Sequence, residues 1–172
     1  ATVQNALGLS CGAFDVNAAC SGFVYALVNA YGLIAMGAEK VLVIGTDTLS
    51  RITDWTDRNT AILFADGSGA AVIEAHDGPS NLLSWDIDAD GSAENILYCE
   101  VGGKIHMDGK EVFRRAVRIM VASGQKSMAA AGVTADDIAL VVPHQANIRI
   151  INSACEKLGI PPERTITVLH ET

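Results

Sequence analysis

The run Lys40-Val-Leu-Val-Ile-Gly45 constrains the fold more than any other segment of this chain. Four consecutive apolar residues leave no polar face, whereas a strand with one side in water alternates apolar and polar side chains. A strand of this kind is stable inside a sheet that helices cover on both faces. Residues 61–64 and 70–74 read as two further strands, split by the loop Asp66-Gly-Ser-Gly69. Residues 13–16, 81–88 and 138–142 read as three more. Between them the apolar spacing turns helical. Val3, Ala6 and Leu7 make a short face closed by Gly8, and residues 23–36 form an apolar helix. Residues 111–131 place Val112, Phe113, Ala116, Val117 and Met120 on one face, with Arg114, Arg115 and Arg118 on the other. Gly132 stops that helix, and residues 147–158 form the last one. The fold class is layered α/β, with its best internal boundary at the Asp77-Gly-Pro-Ser80 turn.

Composition narrows the function classes. A net charge of −8 argues against general nucleic-acid binding, which needs a basic surface. No uninterrupted apolar stretch is long enough for a membrane span and no secretory leader is read, so a soluble cytoplasmic protein is expected. Cys11, Cys20, Cys99 and Cys155 form no Cys-x-x-Cys pair and no cluster with histidine. Neither a zinc site nor a disulfide framework is expected, and a reducing compartment fits. Two motif look-alikes fail on their own terms. Asp86-Ile-Asp88-Ala-Asp90-Gly91 copies the start of a calcium loop, but its twelfth position is Leu97 where a bidentate Glu is required. Gly67-Ser-Gly69 opens like a dinucleotide fingerprint but leads into a strand. No metal and no redox cofactor are expected.

The chemistry concentrates in two segments, Asp15-Val-Asn-Ala-Ala-Cys20-Ser-Gly-Phe23 and Val142-Pro-His144-Gln-Ala-Asn147-Ile-Arg149. Each joins a strand-like run to a helical one and sets a reactive side chain at the junction. Cys20 falls at the N-terminus of a helix, where unpaired N–H groups favour thiolate over thiol. His144 falls on a turn whose backbone Pro143 restricts. A cysteine and a histidine so presented are the parts of an activated sulfur nucleophile and its acid/base partner.

Four stretches carry a family resemblance: DVNAACSGFVYAL, DRNTAILFADGSGAAV, MDGKEVFRRAV and VPHQANIRI, the last being the most specific. In this order they resemble the β-ketoacyl-acyl carrier protein synthase III family, the initiating condensing enzymes of fatty-acid synthesis in the thiolase-like superfamily. The resemblance implies a thiolase-like fold of alternating layers, α-β-α-β-α, built from two similar halves. Residues 1–76 would be the later part of the N-terminal half, carrying the nucleophile. Residues 77–172 would open the C-terminal half, carrying the histidine.

The activity it implies is an acyl transfer: a decarboxylating Claisen condensation of a short acyl-coenzyme A with malonyl-acyl carrier protein. Cys20 and His144 match the catalytic pair, and the family's third residue, an asparagine, is expected just after Thr172. Arg58, Gly109, Phe113, Ala146 and Asn147 match positions that contact coenzyme A. The segment Gln145, Ala146, Asn147, Ile148 and Arg149 matches the part that meets the carrier protein and the coenzyme A phosphates. Asn59 stands where the family usually has Gly. No cofactor beyond the substrates is implied, and the intact enzyme is expected to be a homodimer. The chain reads as the central piece of such an enzyme, and a piece ending at Thr172 is expected to be inactive by itself. Two other readings stay open: a related Cys-His-Asn condensing enzyme of polyketide synthesis, and an inactive fragment that acts only as a binding module.

Overall fold

The computed structural model describes residues 1–170, which form two compact units. Residues 1–45 and 70–76 make the first; residues 46–69 and the chain from Asp77 onward make the second.

In the first unit, α1 (Thr2–Ala6) is a single turn, followed by Gly8 at φ +68. A 3-10 turn, Ala19–Ser21, runs without a break into α2 (Gly22–Ala35). Helix α2 buries Ala30 and is followed by Gly37 at φ +106. Strand β1 (Lys40–Thr48) pairs with β2 (Asp66–Glu74). Just past the ladder, the Ala75 N–H donates to the Glu39 carbonyl at 2.8 Å. Helix α2 approaches β1 at Gly45, where an added Cβ would stand 2.9 Å from Cδ2 of Phe23 and 3.5 Å from its Cβ. The absence of a side chain at 45 is therefore what lets the first turn of α2 lie against the strand.

Four expectations fail, three in the second unit and one in the first. Asp66-Gly-Ser-Gly69 is not a loop but the first part of β2. Neither glycine takes a positive φ, and the Asp66 carboxylate accepts from the Ser50 N–H at 2.8 Å and its hydroxyl at 2.6 Å. Residues 61–63 are turns and Phe64 is irregular, with two strand-competent N–H groups spent locally: Ala61 donates to Asp57 and Leu63 to Thr60, each at 2.9 Å. Residues 13–16 and 81–88 join no ladder among the described residues. The second of these is held by side chains, since Ser84 Oγ donates to the Ser127 carbonyl at 2.7 Å and Lys126 pairs with Asp86.

Strands β3 (Leu97–Cys99) and β4 (Ile105–Met107) form an antiparallel hairpin with Tyr98 opposite His106. Their rings stack at 5.1 Å. Helix α3 (Gly109–Ala131) starts where Asp108 Oδ1 accepts from the N–H groups of Lys110 and Glu111, and stops at Gly132, φ +70. Helix α4 (Ile148–Leu158) is bounded in the same way by Asn147 and by Gly159, φ +73. The two helices pack together, with Leu158 over Gly124, whose added Cβ would meet Cδ1 of Leu158 at 3.1 Å.

Ile151, Cys155 and Ile160 are the buried centre of this unit, flanked by Ala135, Ile138, Val141 and Leu158. Burying a side chain such as Ile151 contributes roughly 1.5–3 kcal/mol. Residues 138–142 meet a single ladder partner, the parallel bridge between Val141 and Thr165. Arg164 reinforces that contact by donating from Nη1 to the carbonyls of Ala135 at 2.9 Å and Ile138 at 2.7 Å. Among the described residues no helix is long and apolar enough to cross a membrane.

Candidate active site

Cys20 is set by an unusual backbone. Ala19 before it is the one non-glycine residue with positive φ among the described residues, at +45. An L-residue there is strained by roughly 1–3 kcal/mol and needs its surroundings to hold it. Asn17 supplies part of that hold, because its Oδ1 accepts the Ala19 N–H at 3.1 Å. The Ser21 N–H closes the turn onto the Ala18 carbonyl at 3.0 Å. The helical run then continues through α2, so the exposed Cys20 thiol stands in its first turn, at the positive end of the aligned peptide dipoles. The sharp bend before the sulfur matches the physics of a nucleophile elbow.

His144 lies in the second unit, three residues ahead of the Asn147 cap of α4, and is exposed at its surface. Burial of part of the ring's surroundings pushes its pKa below the ordinary histidine value, and the Asp47 carboxylate opposes that shift. The neutral imidazole is thus the form favoured near neutral pH, one that can donate a single N–H. The sign for stability follows: a histidine whose folded pKa is depressed disfavours the fold as pH drops through and below about 6.5. Asp47 was not singled out by the sequence; its only signal there is an acidic residue near the end of a buried-type strand. Replacing Asp47→Asn should move the His144 titration midpoint to still lower pH, as read by NMR of the ring protons. A midpoint that stays or rises would remove Asp47 from the histidine's field.

The remaining site candidates fall on three pieces of the second unit. Arg58 is exposed on a loop braced by two carboxylates. Asp54 accepts from the Thr56 N–H and hydroxyl at 2.9 and 2.7 Å, and Asp57 from the Thr60 hydroxyl at 2.7 Å and the Asn59 N–H at 3.0 Å. These bonds hold both carboxyls below the usual carboxylate range. Asn59 keeps a negative φ, so a glycine is not required there by the backbone.

The β3–β4 hairpin joins this loop region to α3: Ile105 N–H donates to the Ile52 carbonyl at 2.9 Å, and Lys104 Nζ to the Arg51 carbonyl at 3.2 Å. Gly109 and Phe113 occupy the first turns of α3. An added Cβ at Gly109 would meet only Met107 Cε, at 3.7 Å, so the protein itself leaves that position open.

Ala146, Asn147, Ile148 and Arg149 bring the start of α4 to the histidine. Asn147 Oδ1 caps the Arg149 N–H at 2.9 Å, and Ile148 is exposed. Gln145 differs from its neighbours, because its carboxamide is taken up by backbone groups at residues 143, 166 and 168.

The basic residues separate by charge pairing. Glu111 binds Arg114 and Arg115, and these two guanidiniums pull its pKa down to about 2. Arg115 also reaches Asp90 at 2.9 Å. Arg118 and Arg149 have no carboxylate partner among the described residues. Of the two, only Arg149 adjoins the histidine turn.

Two family models match the sequence: 3-oxoacyl-[acyl-carrier-protein] synthase III over residues 14–91, and the C-terminal part of the same family over residues 128–172. A curated β-ketoacyl-[acyl-carrier-protein] synthase III from Dinoroseobacter shibae is 45% identical over 183 residues, covering 98% of this chain. The chain belongs to the β-ketoacyl-acyl carrier protein synthase III family.

It spans 56% of the length of that relative. The structure of a synthase III from Thermus thermophilus superposes with a TM-score of 0.93 at 42% identity, covering 98% of this chain and 56% of the other. The priming β-ketosynthase of the R1128 polyketide biosynthetic pathway gives 0.85 at 34% identity, covering 98% and 54%. The architecture is accordingly part of the layered thiolase-like fold of synthase III enzymes. Within this family frame, Cys20 stands in the first unit, and the other candidate residues stand in the second.

Proposed function

We propose that the full-length protein is a β-ketoacyl-acyl carrier protein synthase III that initiates fatty-acid synthesis. The observation that carries this is Cys20, placed by a strained bend in the first turn of a helix, in a chain whose relatives bear that name. The Cys20 thiolate attacks the carbonyl of a short acyl-coenzyme A; a C–S bond forms to Cys20, and coenzyme A leaves as its thiolate. Malonyl-acyl carrier protein then loses carbon dioxide, and the bonding pair left behind makes an enolate. His144 donates an N–H to the enolate oxygen, beside the asparagine that the resemblance expects beyond Thr172. The enolate carbon attacks the Cys20 thioester, a C–C bond forms, the C–S bond breaks, and the β-ketoacyl product leaves on the carrier.

Arg58, Gly109, Phe113, Ala146 and Asn147 would line the path of coenzyme A, with Ile148 and Arg149 facing the carrier. The enzyme would work as a cytoplasmic homodimer with no cofactor beyond its substrates. The R1128 priming synthase favours one second reading, the same condensation serving polyketide synthesis.

The test is condensation of acetyl-coenzyme A with malonyl-carrier protein by the full-length enzyme, compared with Arg149→Glu. A partner of acidic character meeting a chain of net charge −8 must be steered by a local positive field. The variant should raise KM for the malonyl-carrier substrate about tenfold and blunt its salt dependence, while turnover of a small malonyl thioester changes little. Arg114→Glu should do less, since Arg114 is already neutralised by Glu111. No carrier-linked product from the unaltered enzyme would sink the reading. Product formed only with a polyketide-pathway carrier would favour the second one.

A further inference from the structure

The histidine turn follows a parallel ladder that its own sequence interrupts. The Val141 N–H donates to the Arg164 carbonyl at 2.7 Å, and the Ile166 N–H to the Val141 carbonyl at 2.9 Å, around the bridge between Val141 and Thr165. Parallel pairing repeats every two residues. The next rung would take an N–H from residue 143 to the Ile166 carbonyl, and the Val168 N–H to the carbonyl of residue 143. Residue 143 is proline, which has no N–H to give. The rung cannot form from the main chain, and the Ile166 carbonyl would be left without its ladder donor.

The Gln145 side chain occupies that gap. Its Nε2 donates to the Pro143 carbonyl at 2.9 Å and to the Ile166 carbonyl at 3.1 Å. Its Oε1 accepts the Val168 N–H at 2.9 Å. A primary carboxamide carries two N–H donors and an oxygen acceptor, the set needed to stand in for a missing peptide unit.

We propose that Gln145 is a positioning residue that splices the ladder past Pro143, fixing the His144 turn to the 166–168 segment, and is not a contact for the carrier protein or coenzyme A. With both neighbours of His144 tied to that segment, the imidazole has a defined place from which to donate. The catalytic consequence rests on the proposed condensation; the splice itself does not.

The experiment uses the full-length enzyme and two variants. Gln145→Met keeps the side chain's length and removes all three bonds. Hydrogen exchange of the free enzyme should then show the Val168 amide opening about tenfold faster or more, with the Val141 and Ile166 amides little changed. Turnover should fall about tenfold to a hundredfold with a small malonyl thioester as well as with the carrier substrate, at nearly constant KM for the carrier.

Gln145→Glu keeps the acceptor for Val168 but turns a carboxylate toward two carbonyls, which raises the introduced group's pKa. Its stability relative to the unaltered enzyme should therefore be higher at pH 5.5 than at pH 8, because protonation restores a donor and deprotonation removes it. Raised carrier KM with unchanged Val168 exchange, or no pH dependence in the Glu variant, would overturn the splice and make Gln145 a contact residue. Should the unaltered enzyme fail to condense, the proposed function falls, while the exchange and pH measurements still decide the splice.

Discussion

Incubated with acetyl-coenzyme A, the full-length enzyme is expected to gain one acyl mass on the peptide that carries Cys20. Cys20→Ser should bring that label below detection. A serine hydroxyl at this place is far weaker as a nucleophile, because the helix terminus does not by itself ionise an alcohol. The other cysteines serve as internal controls. Cys155 is buried in the second unit, and Cys11 and Cys99, though exposed, stand at no helix N-terminus preceded by a strained bend. Peptide mass mapping after a short exposure checks this. Label on Cys11, Cys99 or Cys155 in place of Cys20 would move the nucleophile elsewhere.

His144→Ala should divide the two half-reactions. Decarboxylation and condensation should slow on the order of a hundredfold or more, the usual cost of removing one oxyanion donor. Acylation of Cys20 should lose much less, since the start of the helical run remains where it was. Single-turnover measurements of carbon dioxide release and of acyl-enzyme formation separate the steps. Equal losses in both would give the histidine a different task, that of deprotonating Cys20.

Helix boundaries were legible in the sequence because their causes are local. Gly132 and Asn147 act within a turn of their own position and stand at the ends of α3 and α4 in the structure, whereas the Asp108 cap starts α3 at Gly109, two residues before the expected 111. The placement of Cys20 and His144 just ahead of helices was legible for the same reason, although the strand expected at 13–16 joins no ladder among the described residues.

Strands were harder. The glycine run 66–69 looked like a loop, and only the Ser50 bonds to Asp66 and the pairing with β1 reveal it as strand. Residues 61–64 have strand composition, yet Asp57 and Thr60 capture their N–H groups in turns. Gln145 was placed among the binding residues because it lies in the histidine segment. Its bonds to residues 166 and 168 depend on a register set by residues 141 and 165, which no reading of the local motif contains.

The close approach of Phe23 to Gly45 has a consequence for how this protein can drift in sequence. Along β1, buried Val43 can exchange for an aliphatic residue of similar volume at modest cost, and the half-buried Val41 and exposed Leu42 and Ile44 tolerate such swaps more easily still. Position 45 is more restricted, since any side chain there presses on Phe23. Even the smallest addition, a methyl group, would overlap an aromatic ring anchored three residues after Cys20. Relief would come by turning the Phe23 ring or by moving the start of α2, and with it the sulfur. A strand position that carries no chemistry and no side chain thus bears on where the neighbouring helix, with Cys20 at its start, can settle over generations of substitution.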